Sequence, residues 1–484
     1  MGTHSVTPNS WRLPLHEMAF WSITFFLIGV LLMSVLGSVS YPQLICAVIT
    51  ALFISLLILL GRRAHALLAV AIIIGAGYYT WRAVPATPVL TLGEPVVITG
   101  LVTDVLASVS SQRTDIDADG VHLRATLPRY PELRYGDQIR VEAVLEFSPA
   151  ERAGYYQKEG VVALFSQPKS FTVVARNQGS KIMAWLYTIR SSVISQFNRV
   201  LPPAEATLLS GLTLGKNVGF SREFSEKLAI TGTTHLVALS GYNISVIAGG
   251  ILFVAGWFTG RRFALLIASV CVILFVVMTG AEASVVRAAI MAGIVFLAER
   301  SGRIPSIRNA VVVAAFVMVL HNPFILVFDV GFQLSFLALL GLVYLAPVVE
   351  GLFGHSERFS GLKKMFCATA SAQLMVMPLL LATFGSVSFI GFITNVLLLG
   401  FIPVTMFLGL LIILFGLLSD YLALIIALLA RVFLGYELGV INVFSQVPLL
   451  FTVERLPIFI TILYYLGIVA FIWYRKRKTN HVSI

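Results

Sequence analysis

The sequence predicts a mainly α polytopic membrane protein into which a small β domain is inserted. Three observations carry that expectation. Of the 484 residues, 58% are hydrophobic and only 12% are charged, against roughly 25% charged residues in a soluble globular chain. Apolar runs close to the ~20 residues that cross a bilayer recur along most of the chain. One polar stretch, from about Pro88 to Arg176, departs from both patterns. Soluble enzyme folds, fibrous repeats and intrinsic disorder are excluded together, because a water-facing surface needs more charge than 34 basic and 23 acidic residues supply.

The runs Met18–Leu36, Tyr41–Leu60 and Ala64–Tyr79 read as three spanning helices. The first is too long for a signal-peptide core and lacks a basic segment before it, so it is expected to be retained. Arg62 and Arg63 place the second connection inside. The third helix then exits outward, and the polar stretch faces the outside or the periplasm. Within that stretch, Pro95–Val102, His122–Leu127, Asp137–Leu145 and Phe171–Val174 are alternating or β-branched and read as short strands. Asp119-Gly120 and Tyr135-Gly136-Asp137 are turn signals between them. About ninety residues with four or five strands suit a small β-barrel, OB-like in size.

After it, Ile182, Trp185, Leu186, Ile189, Val193, Phe197 and Val200 recur every three or four residues, an amphipathic helix expected to lie on the membrane. Two shorter helical segments follow, Glu205–Leu214 and Phe224–Ile230, on either side of a break from Gly215 to Gly219. Hydrophobic runs then dominate: Leu236–Trp257, Phe263–Thr279, Ser284–Ala298, Asn309–Leu320, Phe324–Val349, Met365–Ala382, Phe401–Leu418, Leu422–Ile441 and Ile458–Tyr474. Val387–Leu399 is short enough to be re-entrant. The expectation is about 12 transmembrane helices. The corresponding domains are 1–87, N-terminal membrane helices; 88–177, the extracytoplasmic β domain; 178–232, amphipathic and interfacial helices; and 233–484, the main transmembrane domain.

The net charge of +11 invites a nucleic-acid reading, so its distribution matters more than its sign. Between Val89 and Arg176 there are eleven acidic and nine basic residues, which leaves 25 basic and 12 acidic residues in the hydrophobic remainder. These concentrate in Arg62-Arg63, Arg261-Arg262, Arg300 to Arg308, Lys363-Lys364 and Arg475 to Lys478. Such clusters are first of all topology signals. Alternating the spans puts every one of them inside, with both termini cytoplasmic. Cys46, Cys271 and Cys367 all lie in or beside apolar runs and suggest neither a disulfide framework nor a zinc site.

Polar residues inside apolar runs are costly and need a partner or a water-filled cavity. His235 to Ser245 holds His235, Ser240 and Asn243, with Ser240-Gly241 suited to a helix break or a close backbone approach. Thr279 to Met291 holds Ser284 and Arg287, three apart on one helical face. An intramembrane arginine either pairs with an acid, here Glu282 or Asp329, or meets an anionic substrate. Asp329 to Phe336 adds Asp329, Gln333 and Phe336 as a polar and aromatic stripe, for which packing is the ordinary explanation. Gln373, Pro378 and Asn395 form a fourth group, whose default role is helix packing.

Several motifs fail on inspection. Gly211 to Asn217 resembles a phosphate-binding loop, but its glycine spacing is one short and Asn217 replaces the final hydroxyl residue. None of the eight histidines comes within five residues of another, so no clustered metal motif exists and no cofactor is expected. His235 and Ser240, five apart, diverge around a helix, which disfavours a hydrolase pair.

Taken together these residues resemble the ComEC-type competence proteins. His235 to Gly249 is similar to the family motif H-L-x-A-x-S-G, Thr279 to Met291 to T-G-x-x-x-S-x-x-R-A-x-x-M, and Asp329 to Phe336 to G-F-Q-L-S-F. Leu133 to Asp137, Tyr155 to Phe165 and Gln373 to Pro403 are also similar to the family pattern. The resemblance implies an inner-membrane channel for single-stranded DNA in natural transformation, with an OB-like outer domain. Its implied partners are single-stranded DNA, membrane lipids, a cytosolic helicase-like ATPase, an extracytoplasmic DNA receptor and a separate nuclease. A nuclease is expected elsewhere because the metallo-β-lactamase-like domain of many family members has no counterpart before Ile484. Channel rather than enzyme is the expectation. The DNA-path candidates are His235, Ser240, Asn243, Ser284, Arg287, Asp329, Gln333, Phe336 and Asn395. Two rival readings are a polytopic transporter of a small anion or envelope precursor, and a membrane scaffold that conducts nothing.

Overall fold

Among the described residues of the structure, a computed structural model, seven helices are long and apolar enough to cross a membrane: Leu15–Leu36, Pro42–Leu59, Arg63–Ala83, Arg261–Met278, Val330–Glu350, Lys363–Phe384 and Asp420–Ser445. Gly391–Leu399 and Ile402–Gly416 form one further span if taken together, bent by 49° at their junction. The chain is a helical, polytopic membrane protein with a small β-sheet domain. The structure describes residues 13–37, 41–83, 95–107, 111–149, 152–215, 220–300, 302, 306–353, 360–447, 449–454 and 456–482. The 87/88 boundary and residues Lys216 and Asn217 of the failed phosphate-loop motif lie outside them. The fold divides into two units: residues 1–92, 147–162 and 290–332, and residues 93–146, 163–289 and 333–484.

In the first unit, helix Leu15–Leu36 crosses the Arg63–Ala83 span in direct backbone contact. The reason is a pair of glycines. A Cβ on Gly29 would lie 1.9 Å from the Ile72 carbonyl oxygen, and one on Gly75 would lie 2.1 Å from that of Phe26. Lipid offers no hydrophobic drive for helices to associate, so such crossings depend on small residues that let backbones approach. Phe26, Val30, Met33, Ile72 and Ala76 are buried around it. Arg308, read from sequence as a topology signal, pairs with Glu17 and lies 4.3 Å over the Phe20 ring.

The same unit contains helix Ala153–Glu159, which follows the fourth strand in sequence. It docks on the stretch from Asn322 to Asp329. Gly154 faces Phe328 so closely that a Cβ would sit 2.2 Å from the ring, and the Asn322 side-chain amide donates to the Lys158 carbonyl at 2.8 Å. The hydrophobic run Phe324–Val349 is interrupted here: Asp329 has φ −110° and ψ 99° between Ile325–Phe328 and Val330–Leu340.

In the second unit, six strands form one sheet: β1 Pro95–Ala107, β2 Ser111–Ala118, β3 Val121–Pro128, β4 Gln138–Val144, β5 Val161–Ser166 and β6 Ser170–Ala175. Their order is β5-β3-β2-β1-β4-β6. β1 serves two neighbours because it is long: Pro95–Leu101 pairs with β4, and Leu101–Ala107 with β2 across an irregularity between Val102 and Asp104. Glu146, just after β4, bridges Leu164 of β5. The Asp119-Gly120 turn signal closes the β2–β3 hairpin, with φ of 52° and 83° at the two residues. Positive φ at both central positions matches the twist of antiparallel strands.

Tyr187, on helix Lys181–Val200, ties that helix to the sheet. Its ring stacks on Tyr135 at 5.1 Å and its hydroxyl donates to Asp104 at 3.3 Å. Burial first, then the Asp104 charge, pushes the phenol above its ordinary range, so it stays a donor at any physiological pH. Of the apolar stripe on this helix, Leu186, Val193, Phe197 and Val200 are buried in protein, whereas Ile182 and Trp185 are exposed. The buried half joins a core with Leu209 and Leu212 of helix Pro203–Leu214, Leu398, Met406, and the stripe Ala423, Ala427, Ala430, Leu434 and Ile441 of helix Asp420–Ser445.

Candidate functional site

The His235–Ser245 motif folds as a broken helix. One turn, Thr234–Val237, is followed by extended backbone at Ala238 and Ser240, and helix Gly241–Phe258 begins after it. A break exposes backbone groups that apolar surroundings cannot solvate, so partners must be supplied locally. They are the motif residues themselves. The Ser240 hydroxyl caps the new helix by accepting the Asn243 N–H at 3.4 Å and donates to Asn243 Oδ1 at 3.0 Å. Asn243 Nδ2 donates to the Leu212 carbonyl at 3.1 Å, capping the end of helix Pro203–Leu214. The Leu239 carbonyl accepts from the Ser284 hydroxyl.

Arg287 lies one turn beyond Ser284 on helix Ala283–Arg300. Its Nη1 donates to the Ser335 carbonyl, its guanidinium lies 5.6 Å over the Phe336 ring, and its Nε is buried without a partner. Arg287 therefore keeps its charge in partly buried surroundings against a neutral carbonyl and an aromatic face. Gly241 sits opposite: a Cβ there would be 3.7 Å from Nη2 and 3.1 Å from the Ala288 Cβ. Its lack of a side chain leaves room for the guanidinium. Gln333 is half-buried on the helix that carries Ser335 and Phe336, and Phe336 is buried.

Ser240, Asn243, Ser284, Arg287 and Phe336 are thus joined through the break. Asn395 follows Thr394, which belongs to a second cluster of the same unit, around the turn at Thr231 to Thr233. Thr394 donates to the Thr231 carbonyl at 2.7 Å, Ser388 to that of Ile230 at 2.5 Å, and Gln373 Nε2 to that of Ser388 at 3.3 Å. A Cβ on Gly232 would lie 3.0 Å from the Gly391 Cα. Asn395 is buried there with its Oδ1 unpartnered. His235 is exposed, its Nδ1 3.1 Å from the Gly232 carbonyl, while Ser240 is engaged with Asn243. That arrangement is a set of caps rather than a nucleophile and its base.

Asp329 falls in the other unit. Its Oδ1 accepts the Phe332 N–H at 2.9 Å, capping helix Val330–Leu340, and its Oδ2 lies 3.2 Å from Lys158 Nζ. Glu159 shares the ammonium at 2.6 Å. Burial disfavours the charged lysine, but the Glu159 hydrogen bond and the Asp329 carboxylate outweigh it and hold the Lys158 pKa above the ordinary value.

Two polar groups went unnoticed in the sequence. Lys158 looked like one more charge of the β domain, with nothing to signal a partner 171 residues away. Glu437 is 2% exposed, accepts from the Thr405 hydroxyl at 2.6 Å, and has Oε2 without a partner. Its signal was present: Glu437 falls between Leu434 and Ile441 in a stripe that is otherwise Ala423, Ala427, Ala430, Leu434 and Ile441. Among the described residues no group of three or more His, Cys, Asp or Glu is placed to hold a metal ion.

Fold and site define a polytopic membrane protein whose helical unit is built around a serine-capped helix break and a half-buried arginine. Residues 212–478 match the competence protein family, and the chain belongs to that family. Over 217 residues, 44% of this chain, it is 30% identical to ComE operon protein 3 of Bacillus subtilis. The match spans 27% of that relative's length. No solved structure matches the chain.

Proposed function

We propose that this chain is the inner-membrane channel through which single-stranded DNA enters the cytoplasm during natural transformation. The observation that carries the reading is Arg287: a permanent cation beside a helix break, inside the region matched to the competence family. Phosphodiesters are anions, and an arginine facing neutral groups offers them a counter-charge. On this reading Ser240, Asn243 and Ser284 hold the break open. Arg287, Gln333 and Phe336 line the path, His235 and Asn395 flank it, and Asp329 with Lys158 sets the start of the next helix.

The domain limits proposed are 1–87, 88–177, 178–232 and 233–484. Four shorter apolar helices, Asn243–Phe258, Ala283–Ile294, Ile307–His321 and Phe459–Arg475, added to the eight longer spans bring the total to about 12. With the basic loops inside, both termini are cytoplasmic and the β domain is outside. The Glu146–Leu164 bridge, joining the two ends of the order β5-β3-β2-β1-β4, supports an OB-type barrel.

A pore cannot drive this import. Each phosphate moving inward against an inside-negative potential costs about 2.3 kcal/mol per 100 mV. A helicase-like ATPase must pull from the cytosol, a receptor must deliver DNA outside, and a separate nuclease must remove the other strand. No chemical step is assigned to this chain. The test follows fluorescent DNA in cells lacking the protein. Persistent outer capture with loss of cytoplasmic signal, restored by the wild-type gene, is the expected result. Normal cytoplasmic entry in cells with no second channel overturns the reading and favours a small-anion transporter.

A further inference from the structure

The groove between the helices Ser360–Phe384 and Ile458–Val482 is open, has a volume of about 630 Å³ and is lined almost wholly by apolar side chains. That size falls within the ~300–1,000 Å³ range of clefts that bury a small ligand. Phe366, Ala370 and Leu374 form one wall, and Tyr464, Gly467 and Phe471 the other, with the Leu345–Leu352 stretch as its floor. At Gly467 no atom lies within 4 Å of where a Cβ would be, so this glycine keeps the groove open.

The two helices run antiparallel, and their register follows from two observations. Strands β7, Ser386–Ser388, and β8, Leu450–Thr452, pair as a short ribbon with Ser386 opposite Thr452. The Tyr464 hydroxyl donates to the Leu374 carbonyl at 3.0 Å, and each of these residues is twelve positions from that ribbon pair. Continuing outward, Lys363 and Arg475 are both twenty-three positions from it, with Lys364 and Arg477 beside them. The ends of the groove are therefore unlike. Lys363 and Arg475 lie three and four residues beyond Phe366 and Phe471 on the helix faces that line the groove, so this end carries two basic residues, with Glu350 the acid on the neighbouring helix, whereas the other end closes on tyrosines. From Phe366 to Leu374 the groove is about 12 Å deep at 1.5 Å per residue. One leaflet of a ~30 Å hydrocarbon core is about 15 Å deep.

We infer that this groove is a binding site for an anionic phospholipid of the surrounding leaflet, with the acyl chains between the helices and the phosphate at the Lys363 and Arg475 rim. Charge complementarity fixes the occupant. An apolar slot alone would accept any lipid, but a basic rim about 12 Å from the closed tyrosine end selects a negative headgroup. The inference does not depend on DNA import.

The full chain, purified in detergent, is titrated with dioleoyl phosphatidylglycerol, with dioleoyl phosphatidylcholine and with inorganic phosphate, and bound lipid is counted by native mass spectrometry. The expected result is one tightly held phosphatidylglycerol, weaker phosphatidylcholine, and no competition by phosphate. Neutralising Lys363 and Arg475 together, as Lys363→Gln with Arg475→Gln, lowers phosphatidylglycerol affinity roughly 25-fold, at about fivefold per basic side chain, and leaves phosphatidylcholine unchanged. Gly467→Phe fills the groove and lowers retention of both lipids. Equal affinity of the wild type for the two lipids, or an unchanged affinity in the rim variant, overturns the inference. So does a lipid-free dimer that Gly467→Phe dissociates, which would make a second copy the occupant.

Discussion

Replacing Arg287 by methionine separates a stabilising arginine from a functional one. In the structure the side chain gains a charge-assisted hydrogen bond to the Ser335 carbonyl and the face of Phe336 at 5.6 Å. Such a bond contributes about 1.5–3 kcal/mol and such a ring contact about 0.5–1 kcal/mol, or about 2–4 kcal/mol together. Holding an arginine at membrane depth costs about 2.5–3.5 kcal/mol. The two sides nearly cancel, and methionine keeps most of the apolar stem. Arg287→Met is therefore expected to insert at wild-type levels and to melt within about 2–4 °C of the wild type, the shift for roughly 1 kcal/mol. DNA import, scored as cytoplasmic fluorescent DNA at matched protein level, falls tenfold or more, equivalent to about 1.4 kcal/mol of lost stabilisation of the moving anion. Phe336→Leu, which leaves the cation in place, is expected to lose less. A large fall in melting temperature, with import proportional to the protein that survives, would show that Arg287 holds the bundle together. Unchanged import at normal stability would remove it from the path.

Three further outcomes follow from the geometry. Ser284→Ala leaves the carbonyl of the buried Leu239 without its partner and is expected to cost about 1–3 kcal/mol in a detergent melt; Ser284→Cys, a weak donor, should fall between. Gly75→Val places side-chain atoms where the Phe26 backbone stands, so the first unit loses at least the ~1–3 kcal/mol of an overpacked core, read as earlier proteolysis between residues 15 and 83. Gly154→Val displaces helix Ala153–Glu159 from Phe328, and hydrogen exchange at 153–159 should rise while the sheet stays protected. The same helix has a defined pH response. Because the Lys158 pKa is raised on folding, its contribution is fully present below the ordinary lysine value and is lost as pH rises through the higher folded one. Protection should be constant from pH 7 to 9 and fall only in strong alkali.

The helices were legible wherever hydrophobicity alone selects the structure. The runs at 18–36 and 41–60 became Leu15–Leu36 and Pro42–Leu59 because a run near ~20 apolar residues has no better way to satisfy its backbone in lipid. β2 was not legible. Two of its inward positions are polar, Gln112 and Thr114, both fully buried, so apolar alternation fails. Gln112 is tolerated because Nε2 donates to the Pro128 and Pro131 carbonyls and Oε1 accepts the Leu133 N–H. The interruption of the Phe324–Val349 run was likewise invisible as hydropathy, since one aspartate barely lowers the average of so long a run. Ser240, Asn243, Ser284 and Arg287 could be singled out as polar residues in apolar surroundings, but not which bonds they make.

By itself the sequence determined the membrane class, the ladder of apolar helices, the polar insert and the Asp119-Gly120 hairpin, because each depends on residues near one another along the chain. Only the tertiary structure decided that Ser284 caps the Leu239 carbonyl, that Arg287 meets Ser335 and Phe336, that Asp329 takes its cation from Lys158, and that Glu437 is buried beside Thr405. Hydropathy states that a polar group must find a partner in lipid. Which partner it finds depends on how distant segments cross, and glycines such as Gly29, Gly75 and Gly241 set those crossings by letting two backbones, or a backbone and a guanidinium, occupy the space a single Cβ would take.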